Sequence, residues 1–114
     1  MIEKKYTWVK IAGSETQLRW QENNMAVIET GSHKICIAKF QNNIFAFTDK
    51  CPHSGGILND GYVDIAGNIV CPVHHYKFNI KNGLNSSGEG YKLKVYPVNI
   101  KPDGIFIGIE EIFG

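Results

Sequence analysis

Apolar residues in this chain gather in short runs, several of them alternating with polar residues, and turn-forming residues stand between the runs. The clearest is His33-Lys34-Ile35-Cys36-Ile37-Ala38-Lys39-Phe40, followed across Gln41-Asn42-Asn43 by Ile44 to Thr48. Others cover Tyr6 to Ile11, Met25 to Glu29, Tyr62 to Ile65, Asn68 to Val70, Tyr76 to Ile80, Lys92 to Ile100 and Ile105 to Ile109. Runs this short predict β-strands, and no stretch keeps a helical period over the length a stable helix requires. The chain reads as all-β. Pro102-Asp103-Gly104 sits between Val98-Asn99-Ile100 and Ile105-Phe106-Ile107 as a hairpin turn should, and Gln41-Asn42-Asn43 and Asn82-Gly83 are further turn signals. Closure into a small antiparallel barrel or sandwich protects the strand edges. The polar segment Ser14 to Asn24 predicts no element, with Leu18 and Trp20 as its candidate anchors.

Length adds that residues 1–114 make one domain of ordinary size, and 43% hydrophobic residues are enough for a modest core. The net charge is +1, with 12 basic and 11 acidic residues mixed along the chain. No basic stripe is present to neutralise a phosphate backbone, which argues against a nucleic-acid partner. Met1-Ile2-Glu3-Lys4-Lys5-Tyr6 lacks the apolar run of a secretory signal, and no segment approaches the length that spans a bilayer. The expectation is a soluble, cytoplasmic protein with no membrane partner.

Candidate chemistry is concentrated in Cys51-Pro52-His53 and Cys71-Pro72-Val73-His74, separated by residues 54–70. Thiolate and imidazole together suit zinc, iron or copper. A structural zinc site wants four such ligands, so a zinc-stabilised interaction module is one reading. Against it, the first pair skips a single residue, and a proline after each cysteine points to two loop tips and not to a helix-borne pair. Cys36, alone in an apolar run, reads as a buried, inert thiol. His33 reads as a strand-surface residue. Glu29, Asp49, Asp60, Asp64, Glu89, Asp103, Glu110 and Glu111 form no evident acid and base pair around a nucleophile, and read as a solvated face or turn residues.

The pattern C-x-H, spacer, C-x-x-H, set in Cys51-Pro52-His53-Ser54-Gly55-Gly56-Ile57-Leu58, Gly61, Cys71-Pro72-Val73-His74-His75-Tyr76-Lys77-Phe78, Gly83 and Tyr96-Pro97-Val98, closely resembles the Rieske family of iron–sulfur proteins. The resemblance covers roughly residues 35 to 110. It implies an antiparallel β-fold carrying a small cluster-binding subdomain, with cluster loops at about 49–58 and 70–78. It also implies a [2Fe–2S] cluster with Cys51 and Cys71 on one iron and His53 and His74 on the other. In the family the two histidines sit at the protein tip, where reduction links to proton uptake.

Centres with two histidine ligands span about −150 to +300 mV, against about −400 mV for plant-type ferredoxins. High-potential members of the family carry an extra loop disulfide and a serine and a tyrosine hydroxyl toward the cluster. Here the corresponding positions look like Gly56 and Val73, Tyr76 and Phe78. The resemblance therefore implies the low end of the range, as in small ferredoxins that pass one electron from a reductase to a terminal oxygenase. A small subunit of a nitrite-reductase-like complex shares the fold and is the alternative. One departure is His75, where the family usually has glycine; the two-residue gap from Cys71 favours His74 as ligand. His33 and His75 offer no further metal arrangement, so no independent substrate site is evident. Pro52, Ile57, Leu58, Pro72, Val73 and Tyr76 read either as a docking patch or as packing over the cluster.

Overall fold

Phe40 pairs with Asn43 across Gln41 and Asn42, both of which take positive φ, 50° and 65°. This is the mirror-image turn whose twist matches that of the strands it joins. It fixes the central hairpin of a computed structural model that describes residues 5–53 and 55–111. The readings made above for Met1-Ile2-Glu3-Lys4 and for Ser54 lie outside the described residues.

Among the described residues ten strands form three antiparallel sheets. The outer sheet orders β1 (Tyr6–Ala12), β10 (Gly104–Glu110) and β9 (Val98–Lys101). The central sheet orders β2 (Met25–Thr30), β3 (His33–Phe40), β4 (Asn43–Thr48) and β8 (Val95–Tyr96). The third, made of β5 (Tyr62–Val63), β6 (Asn68–Val70) and β7 (Lys77–Asn79), carries the second Cys–His segment between its last two strands.

The central sheet is covered on both faces. Ala26, Ile35, Ile37, Ile44, Ala46 and Tyr96 meet Ile105 and Ile107 of the outer sheet. Met25, Cys36, Ala38 and Phe47 meet Cys51, Leu58, Ile69, Cys71 and Phe78 on the other side. Double coverage explains why Ile35 to Ala38 reads as a continuous apolar run: alternate side chains enter two different cores. Each fully buried Phe, Ile or Leu contributes about 1.5–3 kcal/mol. Cys36 is completely enclosed, and burial, with Asp49 as a lesser cause, holds its thiol far above the ordinary range, as an inert cysteine requires.

Two runs differ from expectation. The run Lys92 to Ile100 changes sheets: β8 pairs with β4, and β9 pairs with β10. Pro97 stands at the crossing, because it has no N–H to give a ladder, and its carbonyl accepts the Gly108 N–H at 2.9 Å. The run Tyr62 to Ile65 keeps only Tyr62–Val63 as strand. Asp64 captures the chain beyond it, its Oδ1 accepting the N–H groups of Ala66 at 3.0 Å and Asn68 at 2.9 Å, and Ile65 is left 97% exposed. The segment after Ser14 holds a short 3-10 turn, Glu15–Gln17, and Leu18 and Trp20 pack against the outer core. Among the described residues no helix is long and apolar enough to cross a membrane.

Asp64 also receives Asn68 Nδ2 at 3.3 Å and lies 3.4 Å from Lys77 Nζ on β7. Partial burial raises its carboxyl, but these donors outweigh burial and hold it below the usual carboxylate range. A depressed folded value gives stability that is full above the unfolded value of about 3.9 and is lost as pH falls through the folded one. Asp64→Ala is therefore expected to cost about 1–2 kcal/mol at pH 7 by urea denaturation, with the gap from wild type narrowing below about pH 4. A gap constant from pH 7 to 3 would mean that the carboxylate's charge plays no part.

Candidate metal centre

The two ligand segments close on themselves with the same backbone bonds. Cys51 donates its N–H to the Gly56 carbonyl at 2.8 Å, and Gly55 returns one to the Cys51 carbonyl at 3.0 Å. Cys71 donates to Tyr76 and His75 returns to Cys71, each at 2.9 Å. The fifth residue of each loop takes left-handed backbone, Gly55 at φ 71° and His75 at φ 59°. The loops are thus near copies, with the histidine third in one and fourth in the other. That is the physical content of the one-residue and two-residue gaps. It also accounts for His75: its position needs the backbone glycine adopts most easily, and here a histidine adopts it instead.

Cys51 and Cys71 are buried at the floor, packed with Leu58, Ile69 and Phe78. His53 and His74 stand above, ring centroids 5.2 Å apart at 61°. His74 is exposed, whereas His53 is half-buried beneath Tyr76, stacked on it at 3.8 Å and 25°, with Tyr91 at 5.3 Å. His53 Nδ1 is buried and finds no hydrogen-bond partner among the described residues. A buried polar nitrogen left unpaired costs about 1–3 kcal/mol, a deficit that metal coordination removes. Two buried thiols and such an imidazole fit an iron–sulfur cluster. A two-iron centre asks for one ligand pair per iron, and two cysteines with two histidines can supply that. His75 is exposed, and His33, at the start of β3, has its ring edge-on to Tyr96 at 6.3 Å.

The supporting shell held surprises. Asp49, expected on a solvated face, is 1% exposed at the entry to the first loop. Its N–H binds the Lys34 carbonyl, its carbonyl accepts the Leu58 N–H at 2.7 Å, and its Oδ1 accepts the Asn59 N–H at 3.0 Å. Burial pushes its carboxyl up, opposed by the Asn59 N–H and by Lys34, whose Nζ is 3.8 Å away. The exit of the same loop, the 3-10 turn Leu58–Asp60, is clamped from the segment without a predicted element: Asn23 Nδ2 donates to the carbonyls of Asn59 at 2.9 Å and Gly61 at 3.0 Å, and Gln21 Nε2 to Asn59. Nothing local in the sequence signals these bonds, which join residues 36 and 38 apart. Leu58 is core, whereas Pro52, Pro72, Ile57 and Val73 stay exposed around the loop tips.

The Rieske [2Fe-2S] domain model matches residues 7–97, and the chain belongs to that family, whose cofactor is the [2Fe–2S] cluster. It is 23% identical over 91 residues to the ferredoxin component of the alkene monooxygenase system of Xanthobacter autotrophicus, covering 80% of this chain and 75% of that one. It is 28% identical over 81 residues to the 3-phenylpropionate/cinnamic acid dioxygenase ferredoxin subunit of Photorhabdus laumondii, covering 68% and 74%. Among solved structures, the carbazole 1,9a-dioxygenase ferredoxin of Nocardioides aromaticivorans superposes with a TM-score of 0.75 at 17% identity, covering 89% of this chain and 96% of that one. A Mycobacterium tuberculosis chain assigned as an NADH-dependent nitrite reductase small subunit gives 0.76 at 16%, covering 96% and 99%. At these identities the structural likeness speaks for the fold alone, which is the all-β architecture the strand pattern predicts.

Proposed function

We propose that residues 1–114 form one cluster-bearing domain that works as a Rieske-type ferredoxin, carrying one electron from a reductase to a terminal oxygenase. Loops 49–58 and 70–78 hold the cluster, Cys51 and Cys71 on one iron and His53 and His74 on the other. The observation that carries this reading is the buried, unpartnered Nδ1 of His53 beside His74 and above two buried thiols. The cluster supplies reversible one-electron chemistry at a potential set by its two neutral imidazoles and its surroundings. This chain's contribution is positional. Two near-identical loops set the ligands, Leu58 and Phe78 exclude water from below, and the Tyr76 ring covers His53 from the side. His74 faces solvent. Phe78 is buried and offers no hydroxyl, which supports the low end of the range for two-histidine centres, about −150 mV. A reducing cytoplasm suits ligand cysteines that must stay thiolates.

The test is the visible spectrum and low-temperature EPR of the dithionite-reduced protein, purified without oxygen. A brown protein with a rhombic signal of low average g is the expected result. A colourless, EPR-silent protein containing zinc would overturn the reading. The nitrite-reductase small-subunit alternative predicts instead a stable large subunit at copurification; the curated ferredoxin relatives favour the carrier.

A further inference from the structure

A groove of about 570 Å³ opens beside the first ligand loop, and its walls include Cys51, Pro52, His53 and Gly55. Its charged lining is of one sign: Lys50 from the loop, Lys92 and Lys94 from the segment leading into β8. All three are exposed, and among the described residues the ion pairs use other lysines, Lys34, Lys39 and Lys77. Lys94 Nζ leans over the Tyr96 ring at 5.4 Å without a carboxylate partner. The segment is held in place by backbone. The Leu93 N–H binds the Gly83 carbonyl at 2.8 Å, and a Cβ on Gly83 would meet the Leu93 carbonyl at 2.0 Å, so only glycine lets the two segments come this close. A second groove that Lys92 and Lys94 also line adds one lysine, Lys81, and one carboxylate, Glu110. Glu89, on the exposed loop before Tyr91, is tied down by Ser87 and Asn85.

In a chain of net charge +1, an unpaired three-lysine rim touching the loop of one proposed ligand histidine is a local concentration of charge. We propose that Lys50, Lys92 and Lys94 form the docking rim for a redox partner, and that the partner presents a carboxylate-rich protein surface to it. Charge complementarity identifies the occupant. Opposite charge steers encounter and sets orientation, raising association rates by 10 to 10³ at low salt, and here it would bring the partner in on the His53 side of the loops. The apolar tip, Pro52, Ile57 and Val73, then supplies short-range contact. The rim rests on the electron-carrier reading for its use, but its chemistry is testable separately.

Two readouts on the oxidised and reduced holoprotein test it. Fluorescence anisotropy with a labelled hepta-aspartate peptide at low salt reads the rim without any electron transfer. Lys50→Glu with Lys92→Glu is expected to weaken peptide binding at least about fivefold, and the two Gln substitutions to give an intermediate loss. The control Lys10→Glu with Lys101→Glu, on the outer sheet, makes the same change in net charge, from +1 to −3, since each of two reversals removes 2. It is expected to weaken binding by a clearly smaller factor than the rim reversal does. In stopped flow, one electron leaves the reduced protein and converts one ferricyanide to ferrocyanide. That rate should fall several-fold on raising the salt, while the rate with hexaammineruthenium(III) rises, and the Lys50/Lys92 reversal should invert both slopes. A peptide that does not bind wild type, or equal effects of the rim and control reversals, would overturn the proposal. A protein that lacks the EPR signal yet binds the peptide through Lys50 and Lys92 would sink the electron-carrier reading and leave the anionic docking rim standing.

Discussion

His74→Ala is expected to give a folded protein without cluster absorbance, whereas His75→Gly should keep the full visible spectrum. The adjacent histidines differ in what their backbone allows. His75 occupies the fifth position of its loop at φ 59°, where its counterpart in the other loop is Gly55, and its N–H closes the loop onto the Cys71 carbonyl. Its side chain points to solvent, while the His74 ring faces His53 at 5.2 Å. Left-handed backbone costs a non-glycine residue about 1 kcal/mol, so His75→Gly should also raise stability by about that amount. Iron and sulfide analysis of the two variants beside their thermal melts decides the matter. Iron retained in His74→Ala and lost in His75→Gly would reverse the ligand assignment.

Gly61→Ala is expected to be a severely damaging single-methyl change at the root of the second Cys–His loop. Gly61 has φ −93° and ψ −145°, and the first obstacle to a Cβ there is space. A Cβ there would stand 2.1 Å from the Val70 carbonyl oxygen and 3.3 Å from Pro72 Cδ. Val70 pairs with Tyr62 and leads directly into Cys71, so the sheet has to open at the root of the second Cys–His loop. A clash with backbone has no flexible side chain to absorb it, and a cost of about 3 kcal/mol follows, or a fall of about 12–24 °C in Tm for a domain of this size. Gly55→Ala makes the contrast. Its Cβ would meet only the Lys50 Cε at 3.2 Å, and its φ of 71° costs about 1 kcal/mol. Equal melting temperatures for the two variants would show that the third sheet tolerates separation at Gly61.

The strand pattern and the two Cys–His pairs were readable because both are local. Alternation of side chains, an Asn-rich turn and a cysteine two or three residues from a histidine are properties of adjacent positions. The hairpin at Pro102 forms where the turn residues place it, Lys101 opposite Gly104. The limits are equally physical. Lys92 to Ile100 has one continuous strand-like composition, yet it serves two sheets, because which ladder each half joins depends on distant strands and on a missing N–H at Pro97. Asp49 has the composition of a surface carboxylate, and only the meeting of Lys34, Leu58 and Asn59 around it encloses it.

By itself the sequence determined an all-β chain, two Cys–His loops and the cofactor class they suit, because spacing and residue type limit which donors a short loop can present to a metal. Tertiary structure alone decided that the two loops share one backbone design, that His53 lies beneath Tyr76 while His74 faces water, and that Gln21 and Asn23 clamp the exit of the first loop. It likewise brought Lys50 beside Lys92 and Lys94. Each of these joins segments far apart in the chain, and their meeting is fixed by packing of the whole and by no local preference.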